Sequence, residues 1–391
     1  MVRLCLGLIP LAMLISLPLT AALIRLGHRL GTFDSAGVPG QVKLEQRRVP
    51  NTGGIAIFWA IALPVLAGLS FFGPVGRNTD DEWREGPTLV PVDLQDHIRG
   101  IHEQTPLALG LLASLFLLHI LGLIDDRRPL GPRIKLAVMA IPAVAIPLLS
   151  DTRLLTFIDP YAGGPWLSIA ITALWILVVT NAMNFMDNMD GLSAGVAAVA
   201  ASCFLAATLV SPQPQWFIGA MLALIVGACL GFLVFNFPRR GGGGAKIYMG
   251  DGGSLVLGFL LAFLTVRTTY LPPTGAREAG AWYAVFMPLV VLAVPLYDFL
   301  SVTAIRLSQG RSPFVGDTQH LSHRLVKLGL PRGAAVIVIY GLTAVTGVSA
   351  ISLGSLRPWQ AALVGVQTAV ILTVIALFEF SRARATPRVE P

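Results

Sequence analysis

Residues 192–235 read LSAGVAAVAASCFLAATLVSPQPQWFIGAMLALIVGACLGFLVF, without one charged side chain. Pro212 and Pro214 divide this run into two apolar stretches, 192–211 and 216–235. Each has the roughly 20 residues that carry a helix across the hydrocarbon core of a bilayer. A helix at the surface of a soluble protein would show a polar face, and neither stretch has one.

The same signature recurs outward in both directions, near 4–24, 53–72, 106–124, 133–150 and 166–183 before the pair, and 252–271, 282–303, 334–354 and 359–380 after it. The sequence therefore predicts an all-α integral membrane protein with about eleven transmembrane helices. Composition agrees: 54% of the 391 residues are hydrophobic and 13% are charged, which excludes an ordinary soluble domain. Cys5, Cys203 and Cys229 all fall in apolar stretches, where a thiol behaves as a small hydrophobe, so no disulfide or zinc site is expected. The first stretch resembles a signal peptide, but Arg25, His28 and Arg29 directly after it fit the flank of a retained helix better.

Orientation follows from the basic residues, which concentrate in cytoplasmic loops. Segments 25–52, 125–135, 184–191, 236–251, 304–333 and the tail after 380 hold 20 of the 28 Lys and Arg. This predicts an external N-terminus, a cytoplasmic C-terminus and a location in the plasma membrane. The alternate segments carry solvated acids such as Asp80, Asp81, Glu82 and Glu85. The net charge of +7 follows from this asymmetry and suits anionic membrane lipids, with no nucleic acid expected as a partner. No repeat or soluble module interrupts the chain, so residues 1–391 are read as a single polytopic domain, with its active-site loops in the basic segments.

Four polar segments on the predicted cytoplasmic side carry the chemistry. In LGLIDDRRPLGPRIK, Asp125 and Asp126 close one helix and Lys135 opens the next; an isolated pair of acids at a helix end could simply be hydrated. NAMNFMDNMDGL packs Asn181, Asn184, Asp187, Asn188 and Asp190 between two spans, more than a turn requires. FNFPRRGGGGAKIYMGDGGS places Asp251 among small residues ahead of a helix N-terminus, which favours anions, whereas its four consecutive glycines lack the Gly-Lys-Ser/Thr of a P-loop. RLSQGRSPFVGDTQHLSHRL supplies Arg306, Arg311, Asp317, His320, His323 and Arg324, which suit phosphate binding and proton handling better than zinc. Ionisable groups at membrane depth are costly, and together these suit a divalent cation and phosphates.

In their order along the chain, GLIDD at 122–126, NAMNFMDNMDGL at 181–192, KIYMGDGGS ending at Ser254, the Pro295 and Asp298 pair, Arg306, and the Asp317 and His320 pair resemble the polyprenyl-phosphate N-acetylhexosamine-1-phosphate transferases. These are membrane enzymes of glycosyltransferase family 4, and the likeness spans almost the whole chain, including Pro39, Lys43 and PNTGG at 50–54. The resemblance implies transfer of a sugar-1-phosphate from a UDP-sugar to polyprenyl phosphate with release of UMP. It implies that Asp251 and Asn184 hold Mg²⁺, with Mn²⁺ as a possible substitute, and that Asp125 and Asp126 position or deprotonate the lipid phosphate. Lys135 would contact the diphosphate, Asp187 and Asp190 would shape the nucleotide end, and His320, His323 and Arg324 the sugar-phosphate end. Asp187 and His320 are thus counted with the catalytic groups, and Lys43, Asn181 and Arg306 with the substrate-binding ones. A homodimer is a possible assembly.

The chain departs from the family pattern at Glu45, Asn188 and Ser322, and in about five extra residues from Arg240 to Gly244. The PTMGG segment and the three-histidine run of the peptidoglycan branch are absent, which favours UDP-N-acetylglucosamine over UDP-muramoyl-pentapeptide. A covalent aspartyl-phosphate intermediate is the alternative chemical route, and a transporter is the rival class.

Overall fold

The computed structural model describes residues 1–33, 48–72, 98–150, 152–211, 214–238, 244–269, 286–314, 316–353 and 356–383. Lys43, Glu45, residues 73–97 of the expected external loop and Arg240 to Gly243 lie outside them. The described chain is a helical bundle: α1 Val2–Leu30, α2 Gly53–Phe72, α3 Ile98–Arg127, α4 Pro132–Leu149, α5 Trp166–Met186, α6 Leu192–Val210, α7 Trp216–Asn236, α8 Asp251–Thr269, α9 Phe286–Val291, α10 Ala293–Ser308, α11 Leu321–Lys327, α12 Arg332–Leu353 and α13 Pro358–Ala383. Ten of these are long and apolar enough to span a membrane, and the chain is a multi-pass membrane protein.

The eleventh expected span, 282–303, is described from Phe286 and is broken, with Leu292 separating α9 from α10. Pro295 explains the break, because it has no N–H to offer the Val291 carbonyl and its ring crowds that carbonyl. Several helices outrun their apolar stretches. α3 begins at Ile98, eight residues before the expected 106, and α10 runs on to Ser308. Helical hydrogen bonding continues past the point where hydropathy falls, so the polar ends of these helices reach beyond the apolar layer.

α8 is the most enclosed span. It touches α2, α3, α5, α6, α7 and α9, while α1 packs along α7 and α12 along α6. Lipid cannot drive apolar helices together, so close approach of small residues does much of the work. A Cβ on Gly227 of α7 would fall 2.1 Å from the Ile9 carbonyl oxygen of α1. Ser16 Oγ reinforces that contact by donating to the Ala228 carbonyl at 2.7 Å. The outer face is apolar too: Leu363, Val366, Val370, Val374 and Leu377 of α13 are all exposed, as a lipid-facing helix requires.

Gly227→Val should therefore disrupt the α1–α7 contact, since a fixed backbone leaves the new side chain nowhere to go. Overpacking of this kind costs about 1–3 kcal/mol, read as a lower thermal midpoint in detergent. Gly110→Val, where a Cβ would meet nothing within 4 Å, should leave the midpoint unchanged.

Candidate active site

Three segments that are distant in sequence meet at the start of α8. Residues 50–54 run beside 248–249: Tyr248 N–H donates to the Pro50 carbonyl (2.9 Å), while Gly53 and Gly54 N–H donate to the Tyr248 and Met249 carbonyls (2.9 and 2.8 Å). The first N–H groups of α2, which no helical carbonyl can serve, are satisfied in this way. α3 then closes over the same point. Its residues 119, 122 and 126 lie on one helical face, and a Cβ on Gly122 would fall 2.2 Å from Gly252 N.

Asp126 meets the α8 N-terminus directly. Its carboxylate accepts from Asp251 N–H (3.1 Å) and Gly252 N–H (3.5 Å), and also from the Asn51 amide (3.1 Å). It acts as an N-cap supplied by another helix, where a negative charge also suits the helix dipole. Gly250, at φ 70°, keeps this junction open, because a Cβ there would fall 2.4 Å from Asp126 Oδ2.

Asp125 leaves α3 about 100° away from Asp126. Its Oδ1 accepts from Leu130 N–H at 2.8 Å, closing the turn into α4, and its Oδ2 lies 3.5 Å from Lys135 Nζ. Pro132 starts α4 at a position where no N–H is needed, and Lys135 follows on the first turn. The Lys135 ammonium also reaches Asn184 Oδ1 (3.1 Å) and pairs with Asp251 Oδ2. Asn184 in turn donates to Asp251 Oδ1 (2.8 Å) and Ser254 Oγ (2.9 Å). Asp125, Lys135, Asn184 and Asp251 thus form one cluster of oxygen atoms around an ammonium.

A second cluster lies on α10 and α11. Asp298, fully buried, accepts from His320 Nδ1 at 2.8 Å and from Leu321 N–H. Arg306 is also buried. It donates to Asp317 Oδ1 (3.0 Å) and the Pro313 carbonyl (2.7 Å), and it lies 3.4 Å from His320 Nε2. The end of α5 joins the two clusters. Asn184 belongs to the first, while its neighbour Phe185 carries the Arg306 guanidinium 5.3 Å above its ring and meets the His320 ring edge-on at 5.8 Å.

The other expected residues sit around these clusters. Asn181 is one turn back from Asn184 and donates to the Leu177 carbonyl. Asp187 caps α5. Asp190 accepts from Ala245 N–H at 2.8 Å, tying the α5–α6 turn to the segment that leads into α8. His323 lies beside His320, with ring centroids 6.4 Å apart. Arg324 turns toward the last span, pairing with Glu379 at 3.1 Å and donating to Ser301 Oγ at 3.0 Å. Asn188 and Ser322, two departures from the family pattern, are hydrogen-bonded to each other. Lys43 lies outside the described residues. Reading the sequence did not single out Asn51, Ser254 or Glu379. Asn51 lies within the PNTGG segment already quoted, but Glu379 gives no signal beyond being an acid near the end of an apolar run.

Residues 108–269, from α3 through α8, match the model of glycosyl transferase family 4. The chain is 30% identical to a decaprenyl-phosphate N-acetylglucosaminephosphotransferase of Mycobacterium tuberculosis, over 96% of this chain and 91% of that protein. It is 26% identical to a probable undecaprenyl-phosphate N-acetylglucosaminyl 1-phosphate transferase of Bacillus subtilis, over 93% of this chain and 89% of the relative. A phospho-N-acetylmuramoyl-pentapeptide-transferase of Desulforudis audaxviator is 30% identical over 66% of this chain and 74% of its own length.

The second cluster also makes stability depend on pH. Burial pushes the His323 imidazole down to about 4, helped by nearby cations such as Lys327. Burial would raise Asp317, but hydrogen bonds from the Arg306 guanidinium and Gln319 N–H hold it below the ordinary 3.8. The unfolded chain therefore binds more protons at His323 between its ordinary 6.5 and about 4, so stability falls with falling pH across that window. Asp317 contributes stability above 3.8 that is lost only as pH falls through its lower folded value. Thermal midpoints measured from pH 7 to 4 should decline for the wild type and decline less steeply for His323→Gln. Equal slopes would place His323 in open solvent.

Proposed function

The chain belongs to glycosyl transferase family 4, and from that membership we propose that it transfers N-acetylglucosamine-1-phosphate from UDP-N-acetylglucosamine to a polyprenyl phosphate, releasing UMP, as a first membrane step of a cell-envelope glycan. The observation that carries this reading is the convergence of Asp125, Lys135, Asn184 and Asp251 at the start of α8. Membership in a transferase family removes the transporter reading. N-acetylglucosamine is favoured over the muramoyl-pentapeptide because two relatives named for it align with nearly the whole chain, whereas a muramoyl-pentapeptide relative aligns with two thirds.

In the reaction, an oxygen of the lipid phosphate attacks the β-phosphorus of the UDP-sugar. A new phosphoanhydride bond forms, the bond to the α-phosphate oxygen breaks, and UMP leaves with that oxygen. Two anions must meet, so cationic clamping dominates catalysis. Lys135, already held between Asp251, Asn184 and Asp125, supplies one fixed positive charge. Three carboxylates (Asp125, Asp126 and Asp251) against one ammonium leave a formal excess of two negative charges, and the facing donors are hard oxygens. That donor set fits Mg²⁺, which Asp251 and Asn184 would hold. When bound, the ion neutralises phosphate oxygens.

The two adjacent aspartates have different tasks in this reading. Asp126 is committed to backbone N–H groups of α8 and to Asn51, so it shapes the site. Asp125 shares Lys135 with Asp251 and is the one turned toward the reacting groups, where it orients the lipid phosphate or takes its proton. His320, oriented by Asp298, and Arg306, oriented by Phe185 and Asp317, stand at the sugar-phosphate end. Burial keeps His323 uncharged at neutral pH, which suits a hydrogen bond to the sugar better than an ion pair. The site faces the cytoplasm, with the N-terminus outside and the C-terminus inside, in keeping with the basic loops.

Membranes containing the protein should release UMP from UDP-N-acetylglucosamine only when both polyprenyl phosphate and Mg²⁺ are present. Asp251→Asn should abolish release at normal expression. Asp125→Asn should lower kcat roughly 10²-fold, as expected for loss of a base or positioning group, whereas Asp126→Asn should lower the thermal midpoint as well. UMP release without the lipid would mean hydrolysis and sink the transfer reading. Orientation is checked separately: single cysteines replacing Asp81 and Arg311 should be labelled from opposite sides of the membrane, and same-side labelling would overturn the topology.

A further inference from the structure

His119 sits in the apolar part of α3, two turns before Asp126, and is 3% exposed. An ionisable side chain buried within a span is a functional hypothesis by default, and none of the roles above uses it. Its Nδ1 lies 2.8 Å from the carbonyl oxygen of Gly252. A carbonyl only accepts, so Nδ1 carries the proton. The ring stacks on Phe58 of α2, with centroids 4.5 Å apart and planes within 5° of parallel. α2 therefore fixes the imidazole from one side while it reaches α8 on the other.

Gly252 directly follows Asp251. Asp126 already holds the N–H groups of both residues, and His119, from the same face of α3, holds the Gly252 carbonyl, which belongs to the next peptide unit along the first turn. Asp126 fixes the N–H side of the first turn of α8, and His119 fixes a carbonyl on the same turn. Two anchors about two turns apart on α3 fix the direction in which the Asp251 carboxylate leaves the backbone. We propose that His119 is a positioning residue for the transfer, setting the aim of Asp251 through the Gly252 carbonyl. The inference rests on Asp251 being part of the reaction centre, as proposed above.

Two substitutions separate this role from packing. His119→Phe keeps an aromatic ring on Phe58 but has no donor, whereas His119→Asn gives up the stack and offers an amide N–H near the position of Nδ1. Misplacing a reacting group by about 1 Å costs roughly 100-fold. His119→Phe should therefore keep its thermal midpoint and its KM for UDP-N-acetylglucosamine while kcat falls about 10- to 100-fold, and His119→Asn should recover most of the loss. A readout without turnover accompanies this: the Mg²⁺ concentration giving half-maximal thermal stabilisation in the presence of UDP-N-acetylglucosamine, with Asp251→Asn as the unresponsive control. It should rise several-fold in His119→Phe and return toward the wild type in His119→Asn. Unchanged kcat and Mg²⁺ response in a folded His119→Phe would overturn the proposal. So would losses in both variants that merely track their thermal midpoints. If the wild type released no UMP, the functional reading would fail by itself, and the Asp251-dependent Mg²⁺ response would still decide the role of His119.

Discussion

Everything at the reaction centre depends on backbone meeting backbone at the start of α8. A Cβ on Gly54 would fall 2.3 Å from Gly253 N, and one on Gly122 would fall 2.2 Å from Gly252 N. Any side chain at Gly54 or Gly122 would push α2 or α3 outward. The Asp126 carboxylate would then lose the N–H groups it caps, and Asp125 would lose its distance to Lys135. Where lipid provides no hydrophobic drive between helices, such contacts are also a main source of packing energy. The same glycines thus hold the bundle together and set the spacing of the charges.

Those charges are tolerable only as a network. An unpaired carboxylate at this depth would cost several kcal/mol, so each is spread over several donors. Asp251 draws on Lys135 and Asn184, Asp126 on two backbone N–H groups and Asn51, and Asp298 on His320 and Leu321 N–H. The two clusters are joined by the consecutive pair Asn184 and Phe185 at the end of α5, whose side chains leave the helix about 100° apart and reach one cluster each. A shift of that helix end would move the Lys135 partner and the Arg306 platform together.

Much of this could be read from the chain alone, because hydropathy over 20 residues is a strong local signal. The spans lay near their expected positions, and Asp125, Lys135, Asn184 and Asp251 did gather. What escaped the reading were features decided by tertiary contact. Pro295 gave a visible cue for the broken span, but apolar composition on both sides of it masked the break. The unequal surroundings of Asp125 and Asp126 depend on which face of α3 meets α8, and adjacency in the chain does not assign that face. His119 was hidden within an apolar run, although a lone histidine there was a signal that could have been taken. Asn51 acts on a carboxylate 75 positions away, and Glu379 on an arginine 55 positions away. No local pattern encodes such pairings.

The Arg324 to Glu379 pair has a consequence for how the protein is made. Glu379, 4% exposed, belongs to α13, which a ribosome delivers after the segment carrying Arg324. Until that helix enters the membrane, the Arg324 guanidinium and the Tyr297 hydroxyl, which also donates to Glu379 at 2.8 Å, have no acidic partner at that position. The Arg324 end of the segment carrying His320 thus gains its acidic partner only once α13 has been inserted. Biosynthetic order in this way makes the pairing of Arg324 and Tyr297 with Glu379 a late step, after both have entered the bundle.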